Sequence, residues 1–218
     1  MFIINGRQGS NIDEEELSKI DAELTSLADL SYDVLNIELA KRGNTPGCHQ
    51  PLLLVLARLI LYKNIRNVLE LGSGMTTFYL ASLTHKVKGR LITLEQYQQW
   101  YDLNKSILDA LRIEHHNYIL LEKPSDLAKQ NLENAKFDLV LVDSCDGRAE
   151  AVKAYSNHFH SETIILWDDC EQEQYFNRVV HVTEDIQLAK PKLFLSWTRG
   201  IATIDPAEKI DFVDFLKS

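Results

Sequence analysis

The chain has 218 residues, 45% of them hydrophobic, and a formal net charge of −9. That is enough apolar material for one sizeable domain. The acidic balance argues against nucleic acid or an anionic membrane as the main partner, because phosphate binding needs clustered Lys and Arg.

Residues 13–42 are predicted to be helical, with apolar residues recurring at Leu17, Ile20, Leu24, Leu27, Leu30 and Leu35. Gly43-Asn-Thr-Pro-Gly47 breaks that helix. A second, strongly apolar and largely buried helix is expected over about 50–62. Residues 1–49 thus read as a helical extension, either a lid or a homodimer element, and 50–218 as the main domain. From residue 66 the pattern alternates. Strands are predicted at 66–71, 90–94, 117–121, 137–142 and 163–167. Helices are predicted at 76–83, 97–111, 125–134 and 149–159. Near-continuous apolar strands such as Asp138-Leu-Val-Leu-Val142 are what a parallel sheet covered on both faces requires. The runs 193–197 and 200–204, separated by Thr198-Arg199, predict a closing β-hairpin. The expected fold is α/β: a Rossmann-like three-layer sandwich with a seven-stranded, mostly parallel sheet, a C-terminal antiparallel hairpin and N-terminal helices. Residues 43–50, 144–150 and 168–190 are expected to be loops that shape a substrate pocket.

Cys48, Cys145 and Cys170 form no CxxC pair and read as free thiols of a reducing compartment. No apolar run is long enough to span a bilayer, and the first residues show no basic leader. A cytoplasmic protein is the expectation.

The strongest motif is Glu70-Leu-Gly-Ser-Gly-Met-Thr-Thr77, a strand running through a glycine turn into a helix. Gly72 and Gly74 let the backbone turn sharply and approach a ligand, which is delivered to the free N–H groups of the helix N-terminus. Thr77 stands where a dinucleotide fingerprint has its third glycine, so the pyrophosphate pattern is incomplete. Glu95 follows Gly72 by 23 residues, at the carboxyl end of the second strand. An acid there can accept both hydroxyls of a ribose. Ser125 and Asp126, after the third strand, can cap the next helix and also face an adenine. Asp143 ends the fourth strand; Asp168 and Asp169 follow the fifth. These three acids are expected to meet on one rim and suit a hard divalent cation such as Mg²⁺, or a polar substrate. The plainer reading of the Asp168-Asp169 pair is a solvated turn with one helix cap.

The ordered set Val68-Leu-Glu-Leu-Gly-Ser-Gly74, Leu91-Ile-Thr-Leu-Glu95, Phe137-Asp-Leu-Val-Leu-Val-Asp143 and Ile164-Ile-Leu-Trp-Asp-Asp169 resembles the class I S-adenosylmethionine-dependent methyltransferases. Within them it is similar to the catechol O-methyltransferase-like small-molecule branch. The resemblance covers about residues 50–205. It implies that Glu70 and the backbone of Gly72 and Ser73 hold the methionine part and that Glu95 binds the ribose. It also implies that Ser125 and Asp126 border the adenine, and that Asp143 sits beside the sulfonium and the acceptor. Gly74, Thr76, Thr77 and Gln96 complete the expected cofactor contacts. In metal-dependent relatives the ligands match Asp143, Asp168 and Asp169, with Asn in place of Asp169. Those relatives carry a catalytic Lys where this chain has Asp146. The base is then expected from a carboxylate such as Asp143 or from His49, on the link before the core. His158 and His160 fall at the opposite end of the sheet and read as structural.

The function expected is methyl transfer to a hydroxyl, or an amine, of a small molecule or saccharide. A non-catalytic binding scaffold or sensor of the same fold is the alternative. A nicotinamide dehydrogenase is disfavoured by the missing third glycine and by the lack of a Tyr-x-x-x-Lys pair.

Overall fold

A computed structural model describes residues 50–115, 117–121, 132, 135–144, 147–196, 199–207 and 209. The expected helices at 13–42 and, apart from Leu132, at 125–134 lie outside these residues. So do His49, Ser125, Asp126 and Asp146.

In chain order the elements are helix α1 (Gln50–Tyr62), strand β1 (Asn67–Leu71), α2 (Met75–Lys86), β2 (Arg90–Glu95), α3 (Gln98–Leu111), β3 (Tyr118–Leu120), β4 (Phe137–Val142), α4 (Arg148–Tyr155), β5 (Phe159–Trp167), α5 (Glu173–Asp185), β6 (Lys192–Ser196) and β7 (Arg199–Ile204). They build one seven-stranded sheet in the order β3-β2-β1-β4-β5-β7-β6. The first five strands are mutually parallel. β7 runs antiparallel to both β5 and β6. The hairpin therefore inserts its second strand beside β5, and β7 alone opposes the rest.

Strand side chains alternate between two apolar layers. Leu139 and Leu141 of β4 join the core under α1, α2 and α3, whereas Val140 and Val142 join the core under α4 and α5. Each apolar strand is covered on both faces, which is why its sequence lacks a polar side. α1 buries Leu52, Leu53, Leu56 and Ile60 completely, as its composition predicts.

Two boundaries differ from the sequence reading. The fourth helix ends at Tyr155, passes through a 3₁₀ turn at Ser156–His158, and β5 starts at Phe159 rather than 163. Its first residues, His160–Glu162, are exposed, so no apolar run marked them. Residues 168–190, expected to be loop, contain α5. That helix buries Val179 and Val182 against the sheet. It is tied to α4 by Arg178–Glu150 at 2.5 Å and Lys153–Asp185 at 3.0 Å.

At the lower end of the sheet Asp138 joins β4 to the start of β1. One carboxylate oxygen accepts the N–H groups of Arg66 (2.9 Å) and Asn67 (2.8 Å), and the other faces His160 Nε2 at 3.2 Å. His158 Nδ1 lies 2.9 Å from the carbonyl of Ala135. Both histidines have structural partners there, far from the opposite rim. Asp138→Ala leaves two main-chain donors without their acceptor and is expected to cost about 2 kcal/mol. Urea denaturation checks this; an unchanged midpoint refutes it.

Candidate active site

The chain leaves β1 in one direction for β2 and β3, then returns to place β4 on the other side of β1. Such a reversal opens a crevice beyond the carboxyl ends of the strands. The turn Gly72-Ser73-Gly74 lies in that crevice. Main-chain bonds continue the sheet past its ends: Gly72 N–H donates to Leu94 O, Asp143 N–H to Leu71 O and Asp168 N–H to Val142 O. Gly72, Asp143 and Asp168 are thereby gathered on one rim.

The two glycines serve different ends. Gly72 has φ +88°, and a Cβ there would lie 2.5 Å from the backbone of Ser144. Its requirement is internal: β1 and β4 cannot close around a side chain. Gly74 is extended, with φ −173°, and a Cβ on it would meet nothing within 4 Å among the described residues. Fold and backbone do not demand glycine at 74; the open space above it fits a bound molecule.

Glu70 is fully buried below the turn. One oxygen accepts the Thr76 hydroxyl at 2.6 Å and the other the Thr93 hydroxyl at 2.7 Å. His115 Nε2 lies 2.8 Å from that Thr93 oxygen. Burial pushes the Glu70 carboxyl up to about 7; the hydroxyls of Thr76, Thr93 and Thr77 oppose this, and the charge of Glu95 adds to it. Thr77 Oγ1 accepts the Gly74 N–H at 3.0 Å. Thr76 and Thr77, expected among the cofactor contacts, thus turn their hydroxyls inward and hold the turn itself.

Glu95 gathers four donors. One oxygen accepts the main-chain N–H of Ser73 at 2.9 Å and its hydroxyl at 2.5 Å; the other accepts the N–H groups of Gln96 and Tyr97 at 2.7 and 2.8 Å. Ser73 Oγ in turn accepts from Asn104 Nδ2 (2.9 Å) and from the Tyr118 hydroxyl (2.7 Å). The carboxyl end of β2 is therefore bound to the glycine turn. Of the four donors only the Ser73 hydroxyl can rotate away to yield a lone pair to a ligand. The buried Gln96 carboxamide oxygen has no hydrogen-bond partner among the described residues and awaits a donor.

Across the crevice Asp143, Asp168 and Asp169 converge, with one carboxylate oxygen from each within 4.8 Å of the others. Asp169 is held in the left-handed region at φ +57°, which Asp and Asn tolerate better than other side chains. Arg148, in the first turn of α4, reaches into the group. Its guanidinium lies 3.2 Å from Asp143 and 2.7 Å from Asp169, and its Nε donates to the carbonyl of Ser144. The Asp143 carboxyl is held well above the usual range by burial and by the neighbouring charge of Asp168; Arg148 opposes this, and Asp169 and Glu70 add to it. Gly147, at φ +65°, makes the sharp entry into α4 that sets Arg148 here.

Sequence reasoning expected Asp143, Asp168 and Asp169 to meet on one rim, and they converge there. Of the residues expected to contact a cofactor, Gly72, Ser73, Gly74, Glu95 and Gln96 lie at the glycine turn and the end of β2, whereas Glu70, Thr76 and Thr77 are buried beneath the turn. It missed Arg148, Thr93, Asn104 and Tyr118. A cation in the first helical turn after the fourth-strand acid was the available signal for Arg148. The others are partners across strands and helices, with no local signature.

A doubly wound sheet with a glycine turn at its reversal, an acid after β2 and acids after β4 and β5 is the arrangement that the sequence resemblance implies. Residues 69–170 match the sequence profile of a methyltransferase domain. No curated protein sequence matches the chain. Solved structures do. A Klebsiella pneumoniae protein assigned as an O-methyltransferase is 19% identical with a TM-score of 0.63, covering 87% of this chain and 97% of its own. A Staphylococcus aureus protein assigned as a caffeoyl-CoA O-methyltransferase is 15% identical with a TM-score of 0.63, covering 87% and 99%. An O-methyltransferase from Bacillus cereus, crystallised with SAH, is 16% identical with a TM-score of 0.59, covering 86% and 97%. At these identities the likeness is one of fold. The chain thus has the fold of these methyltransferases, and its residues 69–170 resemble a methyltransferase domain.

Proposed function

We propose that the protein transfers the methyl group of S-adenosylmethionine to a hydroxyl of a small molecule. The observation that carries this is the crevice at the sheet's reversal, where the open glycine turn, the Glu95 carboxylate at the end of β2 and a partly exposed Asp143 meet, with Glu70 buried beneath the turn. The O-methyltransferase neighbours, one of them holding SAH, support the hydroxyl as acceptor. S-adenosylmethionine supplies a methyl carbon already activated by its sulfonium.

In this reading Glu70 and the backbone of Gly72 and Ser73 hold the methionine end. Glu95 takes a ribose hydroxyl as the Ser73 hydroxyl swings aside, and the space over Gly74 admits the ligand. Asp143 is the residue that takes the acceptor proton. Its raised proton affinity moves it toward the range in which a carboxylate is an effective general base. Holding donor and acceptor in line supplies much of the remaining acceleration. None of the described helices is long and apolar enough to cross a membrane. With the acidic surface and scattered thiols, this supports a cytoplasmic site of action.

Calorimetry with S-adenosylhomocysteine tests the reading, and absence of binding sinks it. Glu95→Ala is expected to weaken that affinity by about tenfold or more, since it removes a charged acceptor of a ribose hydroxyl. Equal affinity would make the ribose assignment wrong. Binding without turnover on any hydroxyl acceptor would favour the scaffold alternative.

A further inference from the structure

We propose that Arg148 is the resident cation of the acidic rim, its guanidinium standing where metal-dependent relatives would seat a divalent ion, so that Asp143, Asp168 and Asp169 form an arginine site rather than a metal site. The inference starts from a charge problem. Three carboxylates whose oxygens lie within 4.8 Å repel one another unless a cation sits among them. Two kinds of cation meet that need: an ion with oxygens at about 2.0–2.6 Å, or a side chain whose N–H groups reach the same oxygens.

The structure supplies the second. Arg148 Nη2 is 3.2 Å from Asp143 Oδ1, and Nη1 is 2.7 Å from Asp169 Oδ2. Nη1 also reaches the main-chain carbonyl of Asp168 at 3.5 Å, and Nε donates to that of Ser144. One planar group thus clamps the ends of β4 and β5 together. Two of the three acids in the cluster, Asp143 and Asp169, thus each direct a carboxylate oxygen at a guanidinium N–H group. A divalent ion entering the rim must break both ion pairs and lie against a fixed positive charge. Arginine does not yield by losing its proton: burial works against its charge, but the neighbouring Asp143 and Asp169 hold its proton affinity above the ordinary arginine range.

The placement is fixed by the backbone. Gly147 in the left-handed region turns the chain so that Arg148 opens α4 directly over the cluster. Arg148 is then a positioning residue. It holds the Asp143 carboxylate in one orientation at the rim and lowers the repulsion among the three acids. This meaning rests on the methyltransferase reading. The test does not, because it reads metal binding, while S-adenosylhomocysteine calorimetry on the same protein reports the other question.

The experiment is a Mn²⁺ titration of EDTA-treated full-length protein, followed by electron paramagnetic resonance, for the wild type, Arg148→Ala and Arg148→Lys. The wild type and Arg148→Lys are expected to show only weak, millimolar-range binding. Removing the cation in Arg148→Ala is expected to raise Mn²⁺ affinity by about tenfold or more, because the positive charge that opposes a second cation at the acidic rim is then gone. If Arg148→Ala does not fold by circular dichroism, restoration of its fold by millimolar Mn²⁺ supports the proposal, and failure to restore it counts against it. Micromolar binding by the wild type overturns the proposal outright. So does a folded Arg148→Ala variant whose Mn²⁺ affinity is unchanged.

Discussion

Gly72→Ala is expected to destabilise the protein severely, while Gly74→Ala, two residues away, leaves the fold intact and weakens cofactor binding. At position 72 the cost has two sources. Alanine is strained at φ +88°, and its Cβ would lie 2.5 Å from Ser144 backbone atoms that cannot rotate away. Separating β1 from β4 there costs roughly 3 kcal/mol or more, a loss of about 10 °C in Tm. At position 74 the backbone is extended and a Cβ points into open space, so the change in Tm is expected to be within a few degrees. In the proposed function that same space is where the cofactor approaches the backbone. Its affinity for S-adenosylhomocysteine is expected to fall by about tenfold or more when a methyl group fills it. Differential scanning calorimetry and titration calorimetry on both variants decide the matter. A Gly74→Ala protein that binds as tightly as the wild type would show that the cradle lies elsewhere.

The second large effect concerns Glu70. A carboxyl raised from 4.5 to about 7 binds its proton more tightly in the folded than in the unfolded chain. Folding stability from this group is therefore greatest at low pH. It declines as pH rises from about 4.5 to 7, and the full penalty is present above that. The displacement corresponds to roughly 3 kcal/mol as an upper value. Glu70→Gln removes the titration. Its amide can still accept from one of the two threonine hydroxyls and donate to the other, since the Thr93 hydroxyl can turn to His115. The variant is expected to match the wild type near pH 5 and to exceed its stability by about 1–3 kcal/mol at pH 8. Its affinity for S-adenosylhomocysteine at pH 8 is expected to drop, because the buried charge that opposes folding is the charge available to the amino group of the methionine end. Urea denaturation of both proteins between pH 5 and 8 is the measurement. Parallel stability curves would mean that Glu70 does not carry the shift. A variant that is both more stable and equally tight in binding would remove Glu70 from the cofactor site.

The two glycines also mark how far the sequence could be read. The pair was visible as a strand–turn–helix signal, and Glu95 at its distance turned that signal toward a ribose. The sequence did not tell the glycines apart. One is demanded by the approach of Ser144 from β4, the other by nothing within the protein. Helix α5 was legible in principle. Tyr175, Phe176, Val179, Val182 and Ile186 recur at helical spacing. The stretch was nevertheless read as a substrate loop, because polar residues fill the gaps between them. The start of β5 was hidden for the opposite reason, since its exposed first residues carry no apolar alternation.

The sequence by itself determined the layers, the alternation, the single antiparallel strand and the acids at the strand ends. Those features depend on local period and on residue type at fixed spacing. The tertiary structure decided the partners. Thr93 reaches Glu70 because β2 lies beside β1 in register. Tyr118 and Asn104 reach Ser73 because β3 and α3 are packed over the turn. Arg148 enters the acidic rim because Gly147 turns the chain toward it. Contacts between residues far apart in sequence depend on register and packing, and these arise only when the whole sheet has formed.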